Sequence, residues 1–387
     1  VTTILALNPG SSSLKASVRN PNLLLTCTIQ RLGSAAGTIT LTVGDDHHED
    51  SFTGGLDGAI ELIARQCRER GIVIDAVAHR VVHGGPLHHQ PTFVDDELIG
   101  DLQRAVPLAP LHLPGDIDTI EHARSVWPHA RHVACFDTGF HHDLPEQATR
   151  LPVSTELAEQ GVRRYGFHGL SIQSALHAHP EIDQAVIAHL GSGCSVTAVA
   201  GGKSRHTTMS LTPTGGMVSA TRTGDLDPEI VLYLIQQHGH TVDELRQLLD
   251  RHAGLAGLAG GRHDVRDLLE AGDDAAALAL DVFVGSAAMA IAGCATTLTD
   301  WPVLVFTGGV GEHAAGLRER ICARLLPLRG KSSGTSSGGS NEPVAALANT
   351  GVSVLVVPAD EEGVLDRLSR ELLGGLMALP QSRTPTT

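Results

Sequence analysis

The chain has 387 residues, of which 42% are apolar and 18% charged, and its formal net charge is −15. That length exceeds what a single hydrophobic core usually serves, so two domains are expected. A chain this acidic is a poor partner for nucleic acid or an anionic membrane, and any phosphate it binds must be met by a few placed cations and backbone amides.

Short strands are expected at 3–7, 15–19, 23–30 and 37–43, separated by turn residues. A helix follows at 58–70, with Ala59, Ile60, Ile63 and Ala64 on one face. Next come a strand at 76–82, a helix at 114–126 opened by Pro114, and a strand at 131–136. The pattern then starts again. Strands are expected at 185–189, 196–200 and 206–210, and helices at 228–237, 242–250 and 275–299. A strand at 303–307, a helix at 314–325, a strand at 352–357 and a helix at 362–373 close the chain. The repeated plan suggests two similar α/β halves hinged across a cleft.

The apolar stretch 275–298 contains Asp281 and many Ala and Gly residues, so it reads as a buried helix rather than a membrane span, which needs about 20 apolar residues. Residues 330–340 (GKSSGTSSGGS) read as a mobile surface loop and the residues after 379 as a disordered tail. The six cysteines form no CxxC pair, and no signal peptide precedes the first strand. Buried reduced thiols and a cytoplasmic location are expected.

Three glycine-rich turns each follow an apolar strand: NPGSSSLK (8–15), HLGSGCS (189–195) and FTGGVGEHAA (306–315). Such turns bring backbone amides close to an anion, Lys15 adds a compact charge to the first, and a helix N-terminus supports the third. Each turn alone is also compatible with an ordinary hairpin or strand-to-helix connection. The P-loop design is excluded: GKS occurs at 202–204 and 330–332, but Thr197 and Leu325 stand where that motif needs glycine.

Arg80 lies at the end of an apolar strand in AHRVVHGG (78–85), and Arg222 lies in a Gly/Asp loop before a helix in ATRTGDLDP (220–228). An arginine in apolar surroundings has a strong anionic partner, either a ligand or a structural carboxylate. Asp137 ends a strand in ACFDTGFH (134–141), where a carboxylate commonly faces a ligand crevice. RRYGFHG (163–169) supplies Phe167 and His168. HDVRD (263–267) offers Asp264 and Arg266, which in isolation read as a helix cap with surface charge. VVPADEEG (356–363) places Asp360, Glu361 and Glu362 after a buried strand, suited either to a helix cap or to Mg²⁺ held through water.

Taken together and in order, LALNPGSSSLK, HRVVHGG, APLHLPG, FDTGFH, RRYGFHG, HLGSGCS, TRTGDLDP, FTGGVGE and VVPADEE resemble the acetate kinase family from about residue 2 to residue 375. The resemblance implies an α/β fold of two duplicated ribonuclease-H-like (actin-like ATPase) domains around a central cleft. It implies a first domain at 1–140, closed by a C-terminal helix at 362–376, a second at 141–361 carrying most of the nucleotide site, and a tail at 377–387. The implied reaction is reversible phosphorylation of acetate by ATP, with Mg²⁺ or Mn²⁺, in a homodimer formed through the second domain. Asn8 and Glu361 would then serve the metal, and Asp137, Arg80, His168 and Arg222 the catalysis. Lys15, His189, Leu190, Gly191, Ser192, Gly193, Asp264, Val265, Arg266, Gly309, Val310, Gly311, Glu312 and His313 would bind nucleotide. Arg80, Val82, Leu111, Phe167 and Pro213 would bind the carboxylic acid.

The chain departs from the family pattern at Ser192 and His313, where Asn is usual, at Leu113 and Gly115 in LHLPG, and in TPTGGMVSATR before Arg222. These changes touch the nucleotide and acyl surroundings and leave open acetate against propionate or butyrate. The acceptor is already ionised at neutral pH, so direct in-line transfer needs no strong base. On that mechanism Asp137 orients an arginine or the metal rather than abstracting a proton. An ATPase that binds a protein partner shares the duplicated plan but gives no reason for Arg80, Arg222 and His168.

Overall fold

The structure, a computed structural model, describes residues 2–10, 12–300, 302–325 and 353–378. The expected loop at 330–340 and the tail after 379 lie outside the described residues. The chain divides into two compact units, one running to Gly139 and resuming at Asp360, the other spanning Phe140–Ala359.

In the first unit β1 (Ile4–Pro9), β2 (Ser13–Asn20), β3 (Asn22–Gln30), β4 (Thr38–Val43) and β5 (Asp46–Ser51) form an antiparallel run. After α1 (Leu56–Glu69), β6 (Ala76–Val81) lies parallel to β1. The short β7 (Thr92–Phe93), α2 (Asp96–Ala105) and α3 (Leu113–Val126) lead to β8 (Arg131–Phe136), which is parallel to β6. The strand order is β5-β4-β3-β2-β1-β6-β8-β7. α1 buries Ala59, Ile60, Ile63, Ala64 and Cys67 at helical spacing against Leu5, Leu7, Val18 and Leu25 of the sheet. Cys67, set among charged neighbours in the sequence, therefore joins the core; all six cysteines are buried and unpaired.

The second unit begins with α4 (Glu146–Thr149), α5 (Thr155–Glu159) and α6 (Gly169–Ala178). Its sheet comprises β9 (Gln184–Leu190), β10 (Cys194–Ala200), β11 (Lys203–Thr207), β12 (Val303–Thr307) and β13 (Val354–Val356), in the order β11-β10-β9-β12-β13. Between β11 and β12 run α7 (Pro228–His238), α8 (Val242–Arg251), α9 (Gly254–Leu258), α10 (Val265–Ala271) and α11 (Asp274–Ala295). α12 (Gly308–His313) and α13 (Ala315–Leu325) follow β12, and the chain returns to the first unit as α14 (Glu361–Ala378). By length and composition α11 could cross a membrane, yet Ala279, Leu280, Phe283, Val284, Ala287 and Ile291 along it are buried in this unit's core.

The two sheets share one plan. In each, the first strand pairs antiparallel with the second and the second with the third, while the fourth and fifth strands run parallel to the first: β3-β2-β1-β6-β8 in one, β11-β10-β9-β12-β13 in the other. The duplicated α/β plan expected from the sequence is thus present, with β4, β5 and β7 as additions to the first sheet. One strand sits three residues earlier than expected from 206–210. Gly201 and Gly202, at φ 59° and 68°, make the two-residue hairpin that pairs Ala200 with Lys203, and this fixes β11 at once after the turn. Parallel neighbours end at one sheet edge, so the C-terminal ends of β1, β6 and β8 emerge together, as do those of β9 and β12.

Candidate active site

At that edge of the first unit stand Asn8, Arg80 and Asp137. Arg80 donates to Asp137 Oδ2 from Nε at 3.0 Å and from Nη2 at 2.5 Å, and Nη1 donates to the Pro9 carbonyl at 3.2 Å. The Arg80 side chain is 12% exposed and that of Asp137 2%. Asp137 is held in place by its own N–H, which donates to the Val81 carbonyl at 2.9 Å. Burial opposes the charge on Arg80, but Asp137, Asp116 and Glu361 outweigh it and raise the guanidinium pKa.

Asp116, in the first turn of α3, was not singled out from the sequence. It is 3% exposed, and its Oδ2 accepts the Val82 N–H at 2.7 Å. Burial pushes its carboxyl up to about 7, against the pull of Arg80 and of the Val82 hydrogen bond, with Asp137 adding to the rise. Val82 is buried and Leu111 half-buried.

Asn8 Nδ2 donates to Glu361 Oε2 at 2.9 Å and to Glu362 Oε1 at 2.7 Å. Lys15 is exposed and pairs with Asn8 across the β1–β2 ladder. Burial and then the charge of Glu361 raise the Glu362 carboxyl, while Lys15 and the Asn8 hydrogen bond lower it. The ensemble is a set of hard oxygen donors with crowded negative charge. Among the described residues no group of three or more His, Cys, Asp and Glu forms a metal cage, so a cation here would draw further ligands from water and phosphate. Asp360 accepts the Gly363 N–H at 2.9 Å, which caps α14, and also receives Arg19.

In the second unit His168 precedes α6 with its backbone in the left-handed region, φ 60°, a conformation a non-glycine residue keeps only when its surroundings enforce it. Its Nδ1 lies 2.9 Å from Ser195 Oγ, and its ring stacks on that of His189 at 4.1 Å between centroids. His189 Nδ1 in turn lies 2.8 Å from Ser171 Oγ. A Cβ on Gly193 would stand 3.1 Å from Arg222 Nη1 and 3.4 Å from His168 Nε2, so the guanidinium, the imidazole and the glycine backbone meet at one point. Arg222 Nη1 also donates to the Pro213 carbonyl at 3.2 Å. The Arg222 loop is tied to the glycine turn by the Ala220 N–H, which donates to the Ser192 carbonyl at 3.2 Å. Gly254, at φ 59°, lies under the loop where a side chain would strike the backbone of Ser219 and Arg222.

Two buttresses escaped the sequence reading. Buried His141 lies 3.0 Å from the Phe167 carbonyl and 2.9 Å from Ser204 Oγ, so it fixes the turn that presents His168; burial lowers its pKa to about 4. Arg164 donates from Nη1 to the carbonyls of Thr207 and Thr208 at 2.9 and 2.8 Å, anchoring the same turn to the strand after the hairpin.

The remaining candidates divide. Ser192, Gly309 and His313 are exposed, and Gly191 and Val310 are half-buried. Leu190 and Val265 place their side chains in the core, which leaves only their backbone for a ligand; Phe167 and Pro213 are buried. Glu312 Oε1 accepts the N–H groups of Gly308 at 3.0 Å and Ala359 at 3.1 Å, a local tie. Asp264 caps α10 through the Arg266 N–H and pairs with the Arg266 guanidinium at 2.5 Å, the cap with surface charge that the motif suggests in isolation.

Residues 3–367 match the Acetokinase family. The chain is 38% identical to the acetate kinase of Deinococcus deserti over 394 residues, covering 95% of this chain and 97% of that one. It is 36% identical to the acetate kinase of Corynebacterium jeikeium over 398 residues, covering 95% and 98%. Among solved structures, a propionate kinase from Francisella tularensis superposes with a TM-score of 0.83 at 30% identity over 95% of this chain and 99% of that one. Porphyromonas gingivalis acetate kinase gives 0.78 at 28% over 96% and 100%. With its duplicated sheets and its charged strand ends, the chain is a kinase belonging to the acetokinase family.

Proposed function

We propose that this chain transfers the γ-phosphoryl group of ATP to acetate, giving acetyl phosphate and ADP in a reversible reaction. The observation that carries the reading is the end-to-end similarity to acetate kinases at 36–38% identity. The side-chain geometry supports it, because phosphoryl transfer asks the protein for positioning and charge rather than covalent chemistry. A carboxylate oxygen attacks the γ-phosphorus in line as the bond to the β-phosphate oxygen breaks, and no proton need be removed from the acceptor.

Arg80, oriented by Asp137, takes the acceptor carboxylate, with Val82, Leu111, Phe167 and Pro213 as the acyl surroundings. Asp137, which accepts two hydrogen bonds from Arg80, then serves as an orienter and not as a base. Arg222 and His168, which converge at Gly193, take the equatorial phosphoryl oxygens. Lys15 and the amides of His189–Gly193 hold the ATP phosphates, and Asp264–Arg266 with Gly309–His313 hold the adenosine. The donor set of Asn8 and Glu361 fits Mg²⁺ or Mn²⁺, which when bound offsets the charge of the phosphates.

The test is a hydroxamate assay of acyl phosphate formed from ATP with acetate, propionate and butyrate in parallel. Acetate is expected to have the highest kcat/KM. A propionate acceptor is the second reading, favoured by the 0.83 TM-score to the Francisella tularensis enzyme, and one methylene is worth only about 1–3 kcal/mol. A higher kcat/KM for propionate would replace the first reading, and ATP hydrolysis indifferent to any carboxylate would end both.

The enzyme is further proposed to be a homodimer through the second unit. Support comes from α7, which buries none of its residues within the chain and leaves Ile230, Leu232, Tyr233 and Ile235 exposed at 40–56%. A helix this apolar is normally covered.

A further inference from the structure

Arg80 is surrounded by more carboxylate than it needs for orientation. Asp137 takes the Nε N–H and one N–H of Nη2, and the Pro9 carbonyl takes one N–H of Nη1. Of the five N–H groups on a guanidinium, two are left for an incoming carboxylate. Asp116 adds nothing to that geometry, since its Oδ2 accepts from the Val82 backbone. What it adds is charge. It is buried against the strand that carries Arg80, and the ionised groups acting on it are Arg80 from β6 and Asp137 at the end of β8; Glu361, at the start of α14, acts in turn on Arg80.

With Asp116 protonated, Arg80 and Asp137 cancel, and the two remaining N–H groups meet an acceptor with one buried negative charge fewer beside them. With Asp116 ionised, the same trio carries one negative charge in a poorly hydrated place. We propose that Asp116 is a positioning residue for the acceptor site whose ionisation weakens carboxylate binding at Arg80, so that the enzyme takes its carboxylate best on the acid side of neutrality. The inference rests on the carboxylate-binding role proposed above for Arg80. Asp116 suits such a switch for two reasons. Its Oδ2 accepts from an amide in either protonation state, so the backbone stays put while the charge changes. Its carboxyl also titrates near 7, against about 4 for an ordinary aspartate.

At a separation on the order of 10 Å and an effective dielectric near 20, a unit charge changes an affinity by roughly tenfold. The KM for the carboxylate in the full-length enzyme is therefore expected to rise about tenfold from pH 6 to pH 8.5, at saturating Mg-ATP, with kcat changing much less. In Asp116→Asn, which keeps the acceptor for Val82, that KM should stay at the low-pH value throughout. The KM for Mg-ATP serves as the internal control and should follow one pH profile in both proteins.

A flat carboxylate KM in the wild-type enzyme would overturn the proposal without recourse to any variant. So would an Asp116→Asn enzyme that kept the wild-type pH profile. Absence of acyl phosphate from the wild-type enzyme at every pH would overturn the function on which the proposal rests. Turnover with a flat KM would leave that function standing and remove this inference alone.

Discussion

The pairing of Arg80 with Asp137 can be measured without substrate. Arg80 is 12% exposed and Asp137 2%, with Nη2 and Oδ2 2.5 Å apart, so neither charge has water to fall back on. Removing one partner of a buried ion pair strands the other and costs about 3–5 kcal/mol. Arg80→Ala and Asp137→Ala are therefore each expected to destabilise the first unit by about 3 kcal/mol. The double variant should lie well short of the 6 kcal/mol that independence would give, with a coupling of about 2–3 kcal/mol. The hydrogen bond from Arg80 to Pro9 is lost in both the single Arg80 variant and the double variant, so it cancels from the coupling. Urea is the right denaturant because it adds no salt. The chain has two tryptophans, and Trp127 caps the end of α3 in the first unit, so a Trp301→Phe background makes fluorescence report that unit. The coupling should survive 0.5 M salt, since a pair this enclosed is weakly screened. Additivity within about 0.5 kcal/mol would refute the claim that the two side chains form one unit.

Gly193→Ala places a methyl 3.1 Å from Arg222 Nη1 and 3.4 Å from His168 Nε2, so kcat should fall about tenfold or more while the thermal midpoint stays put; Arg222→Ala should lose at least about 10² in kcat with the fold intact. His141 has a folded pKa of about 4 against an ordinary 6.5: its stabilisation is complete above pH 6.5 and is lost as the pH falls toward 4, while the unfolded chain takes up the proton first. That loss amounts to about 3 kcal/mol at 1.36 kcal/mol per unit, and the acid limb of urea midpoints should flatten in His141→Gln. Ile235→Glu or Tyr233→Glu on α7 should convert a dimer to a monomer in sedimentation if that face is covered by a second copy; an unchanged sedimentation coefficient would remove the proposed interface.

What could be read from the sequence follows from how local each signal is. Arg80 and Asp137 stood out because an apolar strand that ends in a charge is a local contradiction, and the fold resolves it by pairing the two. Asp116 gave no such signal. An aspartate in the first turn of a helix is ordinary there, and only the seating of α3 under Val82 turns it into a buried carboxyl. His141 and Arg164 carry no local signal either, each standing beside a second residue of its own type; their roles depend on the carbonyl of Phe167 and on those of Thr207 and Thr208, from other parts of the chain. β5 shows the same limit for backbone. Its sequence DHHEDS is polar throughout and every residue is exposed, yet it is a strand because β4 offers a free edge. Glu312 shows a further side of the same limit. A carboxylate beside a glycine-rich turn matches a nucleotide site by motif, and nothing local reveals that its Oε1 also accepts the Gly308 and Ala359 amides and so fixes the turn itself. Motif spacing identifies the residues a turn requires, and only the hydrogen bonds tell which of them shape the turn and which are left to meet a ligand.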